Sequence, residues 1–176
     1  MTSMQKGALV AGVQLALVAS LGAKYALDRA RLPRVWTQTV AYDPDLPIRG
    51  RYLSVRLRVD AANVYRNTPQ PKANRFTFWG DMRDVKLSAE NGRLVASPAD
   101  RPTGLEVVRW TNNQGQEVTA LSEPVAFFLP EHRNDPSWRK SGEELWIEVT
   151  VPKKGPPRPI RLAVKQGETF TPLDFK

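Results

Sequence analysis

The side chains of this 176-residue chain that could do chemistry are few and scattered. Asp43-Pro44-Asp45 sets two carboxylates i, i+2 in a turn. Ca²⁺ and Mg²⁺ sites use such oxygens but need roughly four or more further ligands, which the neighbouring sequence does not nominate. The plainer reading is Asx-type turn bonding beside prolines. His132 is the single histidine, in PEHRND, and the chain has no cysteine. A zinc site there would have to be carboxylate-rich, which is unusual. As a general base His132 would have Glu131 or Asp135 beside it; a solvated loop histidine is the simpler account. Ser54 and Lys86 could in principle form a Ser–Lys nucleophile pair, yet nothing in the spacing brings them together. No catalytic residue, metal site or cofactor is therefore expected.

Tryptophan is the more informative residue. Trp36, Trp79, Trp110, Trp138 and Trp146 are many for this length. Trp146 alternates away from the apolar face of its strand, and Trp110 is read as standing off from Val108 in the same way. Trp110 and Trp146 are thus the candidate interaction surface. Partial cover on both faces of a sandwich strand would explain them equally well.

The elements that would position these residues fall into two parts, 1–34 and 35–176. GALVAGVQLALVASLGA, Gly7 to Ala23, is 17 residues without a charge and with one amide, Gln14. As a helix it spans about 25 Å, slightly short of a hydrocarbon core of about 30 Å. Tyr25, Ala26 and Leu27 extend it while Lys24 snorkels to the headgroups. The run also fits a signal peptide, with Val18-Ala19-Ser20 as a tolerable cleavage triplet. An uncleaved anchor is the preferred reading, because the run continues into KYALDRAR without a clear processing site. No face of it is polar, as a buried amphipathic helix would require.

Charge follows the same division. The chain holds 26 Lys and Arg against 18 Asp and Glu, a net of +8. Lys6, Lys24, Arg29, Arg31 and Arg34 face only Asp28 in the first 34 residues, leaving 21 basic and 17 acidic residues beyond. Half the excess thus lies beside the hydrophobic run, which suits anionic lipid headgroups better than nucleic acid. Basic residues after the run favour a cytoplasmic domain by the positive-inside tendency. The absence of cysteine removes thiol catalysis and disulfides but does not fix the compartment.

From Val35 the periodicity is two. Leu53, Val55, Leu57 and Val59 alternate with Tyr52, Ser54, Arg56 and Arg58. Leu145, Ile147, Val149 and Val151 repeat the pattern, and Ile160, Leu162 and Val164 follow a Lys-Lys-Gly-Pro-Pro connector. Asn91-Gly92 and Asn112 to Gly115 mark two further hairpins. Thr68 to Asn74 reads as a polar loop and Glu131 to Gly142 as a longer excursion. The expected fold is mainly β, an antiparallel sandwich or open barrel with one N-terminal transmembrane or signal helix.

The stretch YDPDLPIRGRYLSVRL, Tyr42 to Leu57, resembles the signature of the bacterial GDYXXLXY family, a "DP-x-D" turn followed by "RGDYV-x-L-x-Y". Asp43, Pro44, Asp45, Arg49, Gly50 and Tyr52 match it. Arg51 replaces the motif's Asp, Val55 its first Leu and Leu57 its final Tyr. FFLPEHR, Phe127 to Arg133, and the EELWIEVTV that follows are similar to a later "YFVPEG" element and its hairpin. Asn63 to Asp100 has no counterpart and reads as an insertion. The resemblance implies a single-pass envelope protein of the inner membrane, its β domain periplasmic, often encoded beside a polytopic membrane protein. It implies no activity. The motif is also well explained as structure, a turn, a glycine at a strand start and an alternating strand.

The resulting expectation is a non-catalytic, membrane-anchored domain that binds a protein partner, an integral-membrane protein, with lipid met through residues 7–23 and no nucleic acid. A periplasmic ligand-binding β domain is the alternative, distinguished by a closed apolar pocket. An envelope hydrolase would require Ser54, Lys86, Asp43, Asp45 or His132 to converge.

Overall fold

The structure, a computed structural model, describes residues 2–41, 52–66, 82–112, 115–130, 136 and 140–175. Asp43, Pro44, Asp45, Arg49, Gly50, His132, Trp79 and Trp138 lie outside the described residues, as do the expected loop at 68–74 and most of 131–142. The chain divides into two units, Met1–Leu32 and Pro33–Lys176.

The first unit is one helix, α1, Ser3–Arg31. Thr2 and Gln5 cap its start reciprocally: the Gln5 N–H donates to Thr2 Oγ1 at 3.3 Å and the Thr2 N–H to Gln5 Oε1 at 2.8 Å. Arg29 and Arg31 sit in its last turn, against the negative end of the helix dipole. Leu32 is extended, as a residue before proline prefers, and Pro33 ends the helix. None of its residues is buried, and it is long and apolar enough to cross a membrane.

The second unit is mainly β, in two antiparallel sheets. Its described elements are β1 (Arg34–Ala41), β2 (Tyr52–Leu57), α2 (Ala62–Tyr65), β3 (Arg83–Glu90), β4 (Arg93–Pro98), β5 (Glu106–Thr111), β6 (Glu117–Leu121), β7 (Val125–Phe128), β8 (Glu143–Thr150), β9 (Arg158–Gln166) and β10 (Thr169–Pro172). One sheet runs β10-β9-β8-β1-β2-β7 and the other β4-β3-β5-β6. The sandwich expected from the alternation is what forms. Leu53, Val55, Leu57 and Val59 are buried, as are Leu145, Ile147, Val149 and Val151. They meet Val85, Leu94, Ala96, Val107, Leu121 and Leu162 in one core. Full burial of such a side chain contributes about 1.5–3 kcal/mol.

Turn chemistry sets the hairpins. Asn91 and Gly92 both take positive φ, 49° and 74°, as a two-residue type I′ turn demands. The segment 63–100 supplies β3, β4 and the core residues Tyr65, Val85, Leu94 and Ala96, so it is built into the domain.

Two features depart from simple alternation. The core-facing side of β1 carries Thr37 and Thr39, both buried, between hydrophobic neighbours. Thr37 Oγ1 donates to the Arg58 carbonyl, and Thr39 Oγ1 to the Leu145 carbonyl at 3.0 Å. Each hydroxyl is therefore satisfied, which makes its burial tolerable. The second is residues 58–60, which touch both edges of the four-stranded sheet. The Val59 N–H donates to the Thr119 carbonyl on β6 at 3.0 Å. The Asp60 N–H donates to Leu94 at 2.9 Å, and the Asp60 carbonyl accepts from Ala96 at 2.8 Å, both on β4.

Candidate functional site

The outward side of the six-stranded sheet gathers the unusual residues. On β1, Trp36 and Gln38 alternate with the buried Val35, Thr37 and Thr39. Register places Glu148 beside Trp36 and Trp146 beside Gln38. Across β8 and β9, Glu144 faces Lys165, Trp146 faces Ala163 and Glu148 faces Arg161. Ala163 is the small residue opposite the indole, which leaves the ring room to lie across the strand. Phe170 on β10 completes the group: its ring meets Trp36 edge-on at 4.9 Å and Trp146 at 6.1 Å between centroids. Such T-shaped pairs set the positive ring edge against a negative π face.

Cations rim these rings. Arg161 lies 5.7 Å from the Trp36 centroid, and Lys165 Nζ 5.4 Å from that of Trp146. Arg161 Nε also donates to Glu148 Oε2 at 2.8 Å, a carboxylate only 8% exposed. That hydrogen bond, with the attraction of the charge, raises the Arg161 guanidinium further above its ordinary value. Trp146 Nε1 donates to Glu144 Oε2 at 2.9 Å. Both indoles are half-buried, while Phe170 is exposed.

An open cleft of about 490 Å³ adjoins Trp36 and Trp146, with Gln38, Arg58, Asp60, Arg93 and Glu117 among its walls. Arg58 Nη1 donates to Gln38 Oε1 at 2.6 Å across it. A second cleft, about 240 Å³, is apolar and proline-lined, between Gly104–Glu106, the turn before β7 and Pro156–Pro159. Both open to solvent. Neither is the closed apolar pocket that would mark a ligand-binding barrel.

The other sequence-derived residues separate. Tyr52 is 48% exposed and packs edge-on against Phe128, at 5.5 Å, on the neighbouring β7. Trp110 does not join Trp146. It lies on β5 of the other sheet, opposite Val118, and residues 108 and 110 share one face because strand side chains repeat every two residues. The expectation that Trp110 stands off from Val108 is thus corrected; Val107 and Arg109 occupy the opposite, core side, where Arg109 lies 4.3 Å over the Tyr65 ring.

Ser54 and Lys86 are not brought together. Ser54 is on the outward side of β2, and Lys86 on the outward side of β3 in the other sheet. Lys86 Nζ instead binds Asp100 Oδ2 at 2.7 Å, and this bond lowers the Asp100 carboxyl below its ordinary range. Among the described residues, no three His, Cys, Asp or Glu side chains gather to hold a metal ion.

Sequence reasoning named Trp146 but missed Trp36, Phe170, Arg161 and Lys165 as its companions. The signal was present in the β8–β9 hairpin, since pairing Trp146 with Ala163 puts Arg161 and Lys165 on either side of it. Comparisons with protein-family models, with curated proteins and with solved structures gave no match.

Proposed function

We propose that this chain is a non-catalytic, membrane-anchored binding domain. In this reading α1 crosses the inner membrane once, uncleaved, and the β domain emerges on the periplasmic side. The outward face of its six-stranded sheet receives a protein partner, itself an integral-membrane protein. The observation that carries the reading is the cluster of Trp36, Trp146 and Phe170 rimmed by Arg161 and Lys165. Aromatic rings and arginine, partly exposed and already packed in fixed positions, are the side chains that dominate binding energy at protein interfaces. The resemblance of 42–57 to the GDYXXLXY signature adds the envelope location and a polytopic neighbour, and α1 supplies the means of reaching it.

The test is photocrosslinking in cells, with a benzophenone amino acid at Phe170 and, as control, at Lys86 on the outward side of the other sheet. A discrete adduct with a polytopic membrane protein from position 170, absent from position 86, is the expected result. Equal adducts from both positions would remove the reading. No adduct from either would favour the second reading, a ligand-binding domain. That reading draws on the 490 Å³ cleft, where two indoles adjoin Gln38, Asp60 and Glu117.

A further inference from the structure

The β8–β9 connector is Val-Pro-Lys-Lys-Gly-Pro-Pro, residues 151–157. Val151 and Pro157 are buried at its two ends. Between them Gly155 turns the chain at φ 86°, a conformation that other residues resist, while Pro152, Pro156 and Pro157 fix their own φ. Lys153 and Lys154 are both exposed at the tip. Neither makes an ion pair among the described residues. Two ammonium groups are thus held outward on a short, stiff prong.

Its location gives the prong meaning. The Val151 N–H donates to the Pro33 carbonyl at 3.0 Å, and Pro33 is two residues past Arg31, the end of α1. Lys153 and Lys154 follow Val151 by two and three residues, about 7–10 Å of extended chain. They therefore lie close to the point where the domain joins the helix. Arg34 opposes Thr150 and Thr150 opposes Arg158, so two more cations sit at the same strand ends. Arg29 and Arg31 precede them in the helix's last turn. Glu106 and Glu123, on the far side of the proline-lined cleft, are fewer.

We infer that the Lys153-Lys154 prong docks on the anionic headgroups of the bilayer that holds α1, fixing how the β domain stands on the membrane. This rests on α1 being a membrane span. A bilayer surface carrying anionic lipid attracts basic groups within about one Debye length, roughly 10 Å at 0.1 M salt. The prong starts beside Pro33, the first residue of the β domain, so only a short stretch of chain separates it from the residue that follows α1. Each lysine is expected to favour the docked state about fivefold.

The chain has no cysteine, so Pro156→Cys gives a single thiol for a nitroxide at the exposed side of the prong. The full-length protein is reconstituted into vesicles of phosphatidylcholine, with or without phosphatidylglycerol, and floated on a density gradient. Label accessibility to a water-soluble relaxant is then read in the floated fraction. Accessibility should fall with phosphatidylglycerol, recover in 1 M salt, and become independent of lipid when Lys153→Gln and Lys154→Gln are added. Accessibility unchanged between lipids, or a lipid dependence retained by the double variant, overturns the docking while leaving the anchor in place. Protein that fails to float overturns the anchor and the docking with it.

Discussion

At the scale of single residues, polar groups contribute to the fold in different ways. Lys86 and Asp100 form an exposed pair whose bond has a defined pH signature. The Asp100 carboxyl is lowered, chiefly by the hydrogen bond from Lys86 and then by its charge. A carboxyl that is more acidic in the folded state stabilises it above the ordinary carboxylate range. That contribution is lost as pH falls through the lowered value. Asp100→Asn should therefore melt below the native protein at neutral pH, by a small margin because the pair is exposed, and the two curves should converge in strong acid. A gap that persisted unchanged in acid would mean that Asp100 acts through something other than its charge. Arg109 is a different case. It is buried at the core side of β5, over the Tyr65 ring and 3.8 Å from Glu117, and nothing in an alternating pattern marks such an arginine as internal.

At the scale of elements, turn residues do much of the specification. Gly92 has φ 74° in a type I′ turn with open space around it, so a side chain there is resisted by backbone conformation alone. Gly92→Val should cost about 1 kcal/mol or more, read as a lower urea midpoint with an unchanged slope. The β2 and β8 strands were legible because every second residue is apolar, and the Asn91-Gly92 and Lys153–Pro157 turns because their residue types have few other uses. Three things were not. Thr37 and Thr39 hide a core face behind hydroxyls, and only the structure supplies the carbonyls that satisfy them. Strand order depends on long-range pairing that local pattern does not encode; β1, which pairs β8 through Arg34–Gln38 and β2 through Thr39–Ala41, is the clearest instance. The aromatic cluster, likewise, is assembled from β1, β8 and β10, residues 36, 146 and 170, so the sequence shows its members without showing that they meet.

For the whole molecule, the N-terminal helix and the β domain make different demands on charge. Lys24, Arg29, Arg31 and Arg34 after the apolar run pull toward the cytoplasmic side by the positive-inside tendency, against the periplasmic placement that the family resemblance supports. Under the anchored reading proposed above, the β domain is confined to a surface, where copies of the same chain meet more often than in solution. In that setting an unpaired strand edge is a hazard, because it can pair with the same edge on the next molecule. Residues 58–60 remove part of that hazard by bonding to β4 and β6 at once, and the terminal strands of the larger sheet, β7 and β10, are only four residues each. Asp60→Pro deletes the N–H that reaches Leu94, and should leave β4 open along that stretch. Light scattering of the detergent-solubilised variant should then show concentration-dependent oligomers where the native protein shows none. If α1 tethers the chain as proposed, the strap at 58–60 does for crowding what the core does for folding: it keeps copies sharing one membrane from becoming one another's missing strand.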